Sequence, residues 1–83
     1  MAMIEDFLGT WYLSGDKTKP CYIRLEDDGV HLTIDLGERL GGTKYPGYSI
    51  KGNEIFREGY ATGILSSDLK RIDWTFVGAF WVR

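Results

Sequence analysis

Apolar and polar residues alternate with a period of two along most of the chain, and glycine-containing pairs interrupt the alternation every eight to twelve residues. This is the pattern of short antiparallel strands joined by tight turns. The clearest unit is CYIRLEDDGVHLTIDL, residues 21–36. A two-residue type I′ turn at Asp28-Gly29 sets Leu25 opposite Leu32, Ile23 opposite Ile34 and Cys21 opposite Leu36, so that every apolar side chain falls on one face. The other face carries Tyr22, Arg24, Glu26, His31, Thr33 and Asp35, with Glu26 and His31 as a cross-strand pair. In a second hairpin, YSIKGNEIFR (48–57), a type II′ turn at Gly52-Asn53 pairs Lys51 with Glu54 and Ile50 with Ile55.

Between these hairpins, GERLGGTKYPG (37–47) holds four glycines and a proline and reads as a loop or a distorted edge strand. YATGILSSDLKRIDWTF gives two further strands bent around Ser66, Ser67 and Asp68, and Ile4, Phe7 and Leu8 have helical spacing for a turn before the first strand. The prediction is an all-β domain over residues 1–83: an antiparallel meander of seven or eight short strands, closed or half-closed into a small barrel, with a short N-terminal helical turn.

The final hairpin, IDWTFVGAFWVR, has two registers. A two-residue turn at Val77-Gly78 pairs Trp74 with Trp81 and Ile72 with Arg83, placing both indoles and the guanidinium on one face, but it forces a β-branched residue to positive φ. A three-residue loop, Phe76-Val77-Gly78, needs a left-handed conformation only at Gly78 and pairs Trp74 with Phe80 and Ile72 with Val82. The second is favoured on these grounds. It puts Trp81 on the outer face beside Arg71, Asp73, Thr75 and Arg83, and makes Trp81, Phe76 and Arg71 a candidate protein interface.

A domain of 83 residues hides only about 60% of the surface its unfolded chain exposes. Cys21 is the one cysteine and His31 the one histidine, which leaves neither an internal disulfide nor a structural zinc site to reinforce it. Self-association is the remaining helper, so a homodimer or small homo-oligomer is expected. The start has no basic segment and no long apolar run, and a single thiol fits a reducing compartment, which predicts a cytoplasmic protein without a membrane span. Ten basic against twelve acidic residues, with no Lys/Arg cluster, argue against nucleic acid as a partner.

Residues 7–13 read FLGTWYL. With the preceding helical turn, Phe7, Gly9, Trp11 and Leu13 resemble the first-strand signature of the calycins, the superfamily of lipocalins and fatty-acid-binding proteins. The resemblance implies an antiparallel barrel plugged at one end by Trp11, with a late basic residue, here Arg83, across the indole. It also implies a small hydrophobic ligand in a cup near Trp11, Tyr48 and Arg83. The chain departs from the family in its shortness, and it lacks a T-D-Y motif, a helix-turn-helix lid and a terminal R-x-Y. A barrel of such short strands is expected to be filled by its own side chains, with little room for a lipid.

No catalytic set is assigned. GERLGGTK lacks the order of a phosphate loop, Glu26-Asp27-Asp28 is turn chemistry, and His31 and Cys21 fall on opposite faces. Glu54, Glu58 and Asp73 are the carboxylates that could meet in space as an acid–base pair, though their spacing does not require it. No cofactor or metal is expected. The leading expectation is thus a non-catalytic β-barrel module acting through protein contact; the alternatives are a calycin-like cup for a small hydrophobic ligand, and an SH3-like or OB-like barrel that binds peptide or nucleic acid.

Overall fold

The computed structural model describes residues 2–75 and 78–83. A single helical turn, α1 (Ile4–Phe7), precedes eight strands: β1 (Gly9–Leu13), β2 (Pro20–Leu25), β3 (Leu32–Asp35), β4 (Lys44–Lys51), β5 (Glu54–Phe56), β6 (Gly63–Leu65), β7 (Arg71–Trp74) and β8 (Phe80–Val82). Each strand pairs antiparallel with the next and β8 returns to β1, through Tyr12 opposite Val82 and Leu13 opposite Trp81, to close the barrel. Closure leaves no strand edge to template aggregation.

The two early hairpins have the predicted pairings: Ile23 opposite Ile34, Leu25 opposite Leu32, Ile50 opposite Ile55 and Lys51 opposite Glu54. The 21–36 turn differs. It is a four-residue loop in which the Asp28 carboxylate accepts the N–H groups of Val30 and His31 and Gly29 takes φ 72. Glu26 and His31 stand opposite each other as expected, the Glu26 N–H donating to the His31 carbonyl at 2.9 Å, while the His31 ring binds Asp28 at 2.5 Å and Leu25 at the barrel rim is exposed. Residues 37–47 divide into a 3-10 turn (Glu38–Leu40) and the start of β4, which lies between two neighbours and is no edge.

The last hairpin adopts neither drawn register. Arg71 lies opposite Val82, Ile72 opposite Trp81 and Asp73 opposite Phe80, and the Trp74 N–H donates to the Ala79 carbonyl. The connection is therefore residues 75–78; the turns drawn through Phe76 and Val77 lie outside the described residues. Ile72, Trp74 and Trp81 face inward. Trp81 is 4% exposed, which overturns its expected place on the outer face. The physical reason is the return of β8 to β1, which sets Trp81 opposite inward-facing Leu13 and so fixes which face of β8 points into the barrel.

The core runs through the barrel from Phe7, Trp11, Cys21 and Ile23 to Leu32, Ile55, Leu65 and Ile72. Gly63 is required beneath it. A Cβ there would stand 2.8 Å from Ile72, 2.9 Å from Ile55 and 3.0 Å from Trp74.

Candidate functional site

The two ends of the barrel differ in kind. At one end α1 lies across the opening, its turn held by the Asp6 carboxylate accepting the Met3 N–H at 2.8 Å. Phe7 and Trp11 are fully buried here, and the Trp11 Nε1–H donates to the Phe7 carbonyl at 2.8 Å. Arg83 stacks on the same indole, its guanidinium carbon 4.0 Å from the ring centroid. Its nitrogens donate to the carbonyls of Leu8 (2.9 Å), Leu69 (3.2 Å) and Asp6. One side chain thus ties α1, the β6–β7 turn and β8 over Trp11. Gly9 takes φ 116 as the chain passes from α1 into the strand, a conformation that suits glycine.

The opposite end is hollow. A cavity of about 390 Å³ opens there. Its wall is made by Leu13 of β1, Ile34 and Leu36 at the end of β3, Leu40 of the 3-10 turn, Tyr45 and Tyr48 of β4, Tyr60 and Ala61 before β6, Trp74 of β7, and Ala79 and Trp81 at β8. The wall is almost wholly apolar. The expectation that side chains would fill the barrel is therefore corrected at this end: alanines stand among the rings of the wall, Ala61 next to Tyr60 and Ala79 opposite Trp74, and leave the space open.

Tyr45 and Tyr48 are three residues apart and in a regular strand would point to opposite faces. A bulge resolves this. Leu32 pairs with Tyr48 but Ile34 pairs with Tyr45, so β4 carries an extra residue around Pro46-Gly47. The groups it displaces find partners: the Gly47 N–H donates to Glu26 at 2.7 Å, and the Pro46 carbonyl accepts from Arg57 at 2.9 Å. Arg57 in turn stacks on Tyr60 at 4.1 Å, and Tyr60 meets Tyr45 edge to face at 5.9 Å. These contacts shape the mouth.

Deeper in, Trp74 and Trp81 tilt against each other with centroids 4.9 Å apart, and Tyr48 stands at 90° to Trp74. The Tyr48 hydroxyl donates to the Ala61 carbonyl at 3.2 Å, and burial raises its phenol above the ordinary value. Trp74 Nε1 is buried and has no acceptor among the described residues.

Of the residues predicted for a cup, Tyr48 lines the cavity, whereas Trp11 and Arg83 meet each other at the far end and belong to the plug. Of the predicted interface, Trp81 is inside, Arg71 is on the outer face bound to Asp73 at 2.9 Å and stacked on Phe80 at 4.1 Å, and Phe76 lies outside the described residues. Sequence reasoning missed Trp74, Tyr45 and Tyr60 as wall residues. The signal for the tyrosines was Pro46-Gly47, a bulge-forming pair between two aromatics.

Of the candidate carboxylates, Glu54 and Asp73 do not meet as an acid and base. Ile64 of β6 stands between Glu54 and Asp73, opposite each in turn, which separates them by two strand spacings, about 9.5 Å. Burial pushes the Cys21 thiol up to about 11, so it is no nucleophile at neutral pH. Among the described residues no three His, Cys, Asp or Glu side chains gather as a metal site, and no helix is long and apolar enough to cross a membrane. Comparison with protein-family models, curated proteins and solved structures finds no match to this chain.

Proposed function

We propose that the protein binds a small hydrophobic molecule in the open end of its barrel. The observation that carries this reading is the apolar cavity of about 390 Å³ walled by Trp74, Trp81 and Tyr48 in a barrel whose other end is plugged. An exposed apolar hollow is costly to maintain in water and falls within the usual size of ligand sites, roughly 300–1,000 Å³. The Phe7-Gly9-Trp11-Leu13 signature with Arg83 across Trp11 supports a calycin-type reading, in which the plug holds the barrel and the opposite mouth receives the ligand.

Two of the three tryptophans lie in the wall, so titration with uncharged aromatic probes should quench or shift the intrinsic fluorescence saturably. A flat response across several ligand classes would sink the proposal.

Action through protein contact is the second reading. With Trp81 inside, its support moves to Phe56 and Ile64, exposed on the outer faces of neighbouring strands β5 and β6. Native mass spectrometry separates the two: a dimer mass disrupted by Phe56→Ser favours contact, and a monomer retaining added mass favours the cup. Under either reading the buried, unpaired thiol of Cys21 fits a reducing compartment such as the cytoplasm.

A further inference from the structure

Two features of the cavity wall restrict what it takes, given the reading of the open end as a ligand cup. The first is the absence of charge. Among the described residues no Asp, Glu, Lys, Arg or His lines the hollow, so an ionised group drawn inside would lose its water and gain no partner. Arg57 at the mouth is committed to the Pro46 carbonyl and the Tyr60 ring. The wall instead offers ring faces and edges, from Trp74, Trp81 and Tyr48, which suit a flat aromatic molecule.

The second feature is a donor without an acceptor. Indole N–H groups normally find a partner when buried. Trp11 does so at the plug, at 2.8 Å from the Phe7 carbonyl. Trp74 is only 8% exposed, its ring lines the cavity, and its Nε1 has no partner among the described residues. Such a group lowers stability while it stays unpaired. Nε1 itself is closed off from solvent, so a ligand lying against the ring supplies the acceptor only as the indole turns to bring its N–H to the hollow.

We propose that the cup takes an uncharged bicyclic or tricyclic aromatic molecule carrying a hydrogen-bond acceptor, a carbonyl or ether oxygen, that pairs with Trp74 Nε1. The size follows from a hollow at the small end of the range for ligand sites. The absence of charge follows from the wall, and the acceptor from the unpaired N–H. Fatty acids, whose carboxylate would enter or crowd an uncharged hollow, are excluded as preferred ligands.

The test is calorimetric titration of the intact chain at neutral pH with acetylnaphthalene, ethylnaphthalene and naphthoate, which share one ring system. Acetylnaphthalene should bind at least about tenfold more tightly than naphthoate. In Trp74→Phe, which keeps a ring and removes the donor, the affinity ratio of the acetyl to the ethyl compound should fall about fivefold. Naphthoate binding as tightly as acetylnaphthalene overturns the uncharged assignment, and an unchanged ratio in Trp74→Phe overturns the acceptor. Failure of all three probes to bind counts against the cup reading itself. Should Trp74→Phe not fold, the wild-type indole proton decides: a downfield shift with the acetyl compound and none with the ethyl compound supports the pairing, and equal shifts overturn it.

Discussion

Both ends of this barrel are built around tryptophan, and they differ in how the indole N–H is paired. At the plug, Trp11 donates to Phe7, Arg83 stacks on Trp11 and binds three backbone carbonyls, and the two rings are fully buried. At the open end, Trp74 and Trp81 pack against each other beside empty space, and Trp74 Nε1 is unpaired among the described residues. Aromatic rings thus serve stability where their N–H groups are matched by backbone acceptors and a cation, and leave a vacancy where they are not. In a chain with no disulfide, the plug has to secure the barrel so that the other end can stay hollow.

Substitutions at the two ends should therefore separate stability from binding. The largest loss is expected for Trp11→Ala, about 3–5 kcal/mol by chemical denaturation, because it empties the plug and strands Arg83. Gly63→Ala should cost about 1–3 kcal/mol, since its methyl meets Ile72, Ile55 and Trp74 at 3.0 Å or less. It should also weaken probe binding by pressing Trp74 into the hollow. Arg83→Met should cost about 1–2 kcal/mol through the lost carbonyl contacts and leave probe affinity within about twofold. Ala61→Leu inverts that result: stability should change by less than about 1 kcal/mol, while probe affinity falls at least about tenfold as the added side chain takes up the hollow.

The smallest effect is at the exposed β2–β3 turn, on the plugged side of the barrel and away from the hollow. The hydrogen bond and charge of Asp28 raise His31 above its ordinary 6.5, and the His31 backbone N–H, its ring and the Val30 N–H hold Asp28 down at about 2. The His31 contribution is complete below 6.5 and is lost as pH rises through the higher folded value. The Asp28 contribution is complete above 3.8 and is lost as pH falls toward about 2. Wild-type stability should thus fall slightly on both flanks of that window, and Asp28→Asn should flatten both flanks without altering probe binding.

Much of the barrel was legible in the alternation of residues 21–36 and 48–57, because one buried face admits one register and a slip would expose every apolar side chain. The loop chemistry was less so: Asp28 caps a four-residue turn through its side chain, an interaction that the dipeptide Asp-Gly does not reveal. The last hairpin was misread because turn strain was weighed alone. The return of β8 to β1, with Trp81 opposite Leu13, is a contact between the two ends of the chain and sets the register that the local turn leaves open. The plug was visible as FLGTWYL with Arg83, whereas of the expected cup only Tyr48 was placed correctly, since its wall depends on a bulge at Pro46-Gly47 that turns Tyr45 and Tyr48 to the same side.

The most direct test follows the three indole N–H resonances by ¹H–¹⁵N NMR during titration with acetylnaphthalene. The account expects the Trp74 and Trp81 signals to move together and saturate while Trp11, sealed in the plug by Phe7 and Arg83, stays in place. Movement of Trp11 alone, or of none of the three, would contradict a ligand site at the open end.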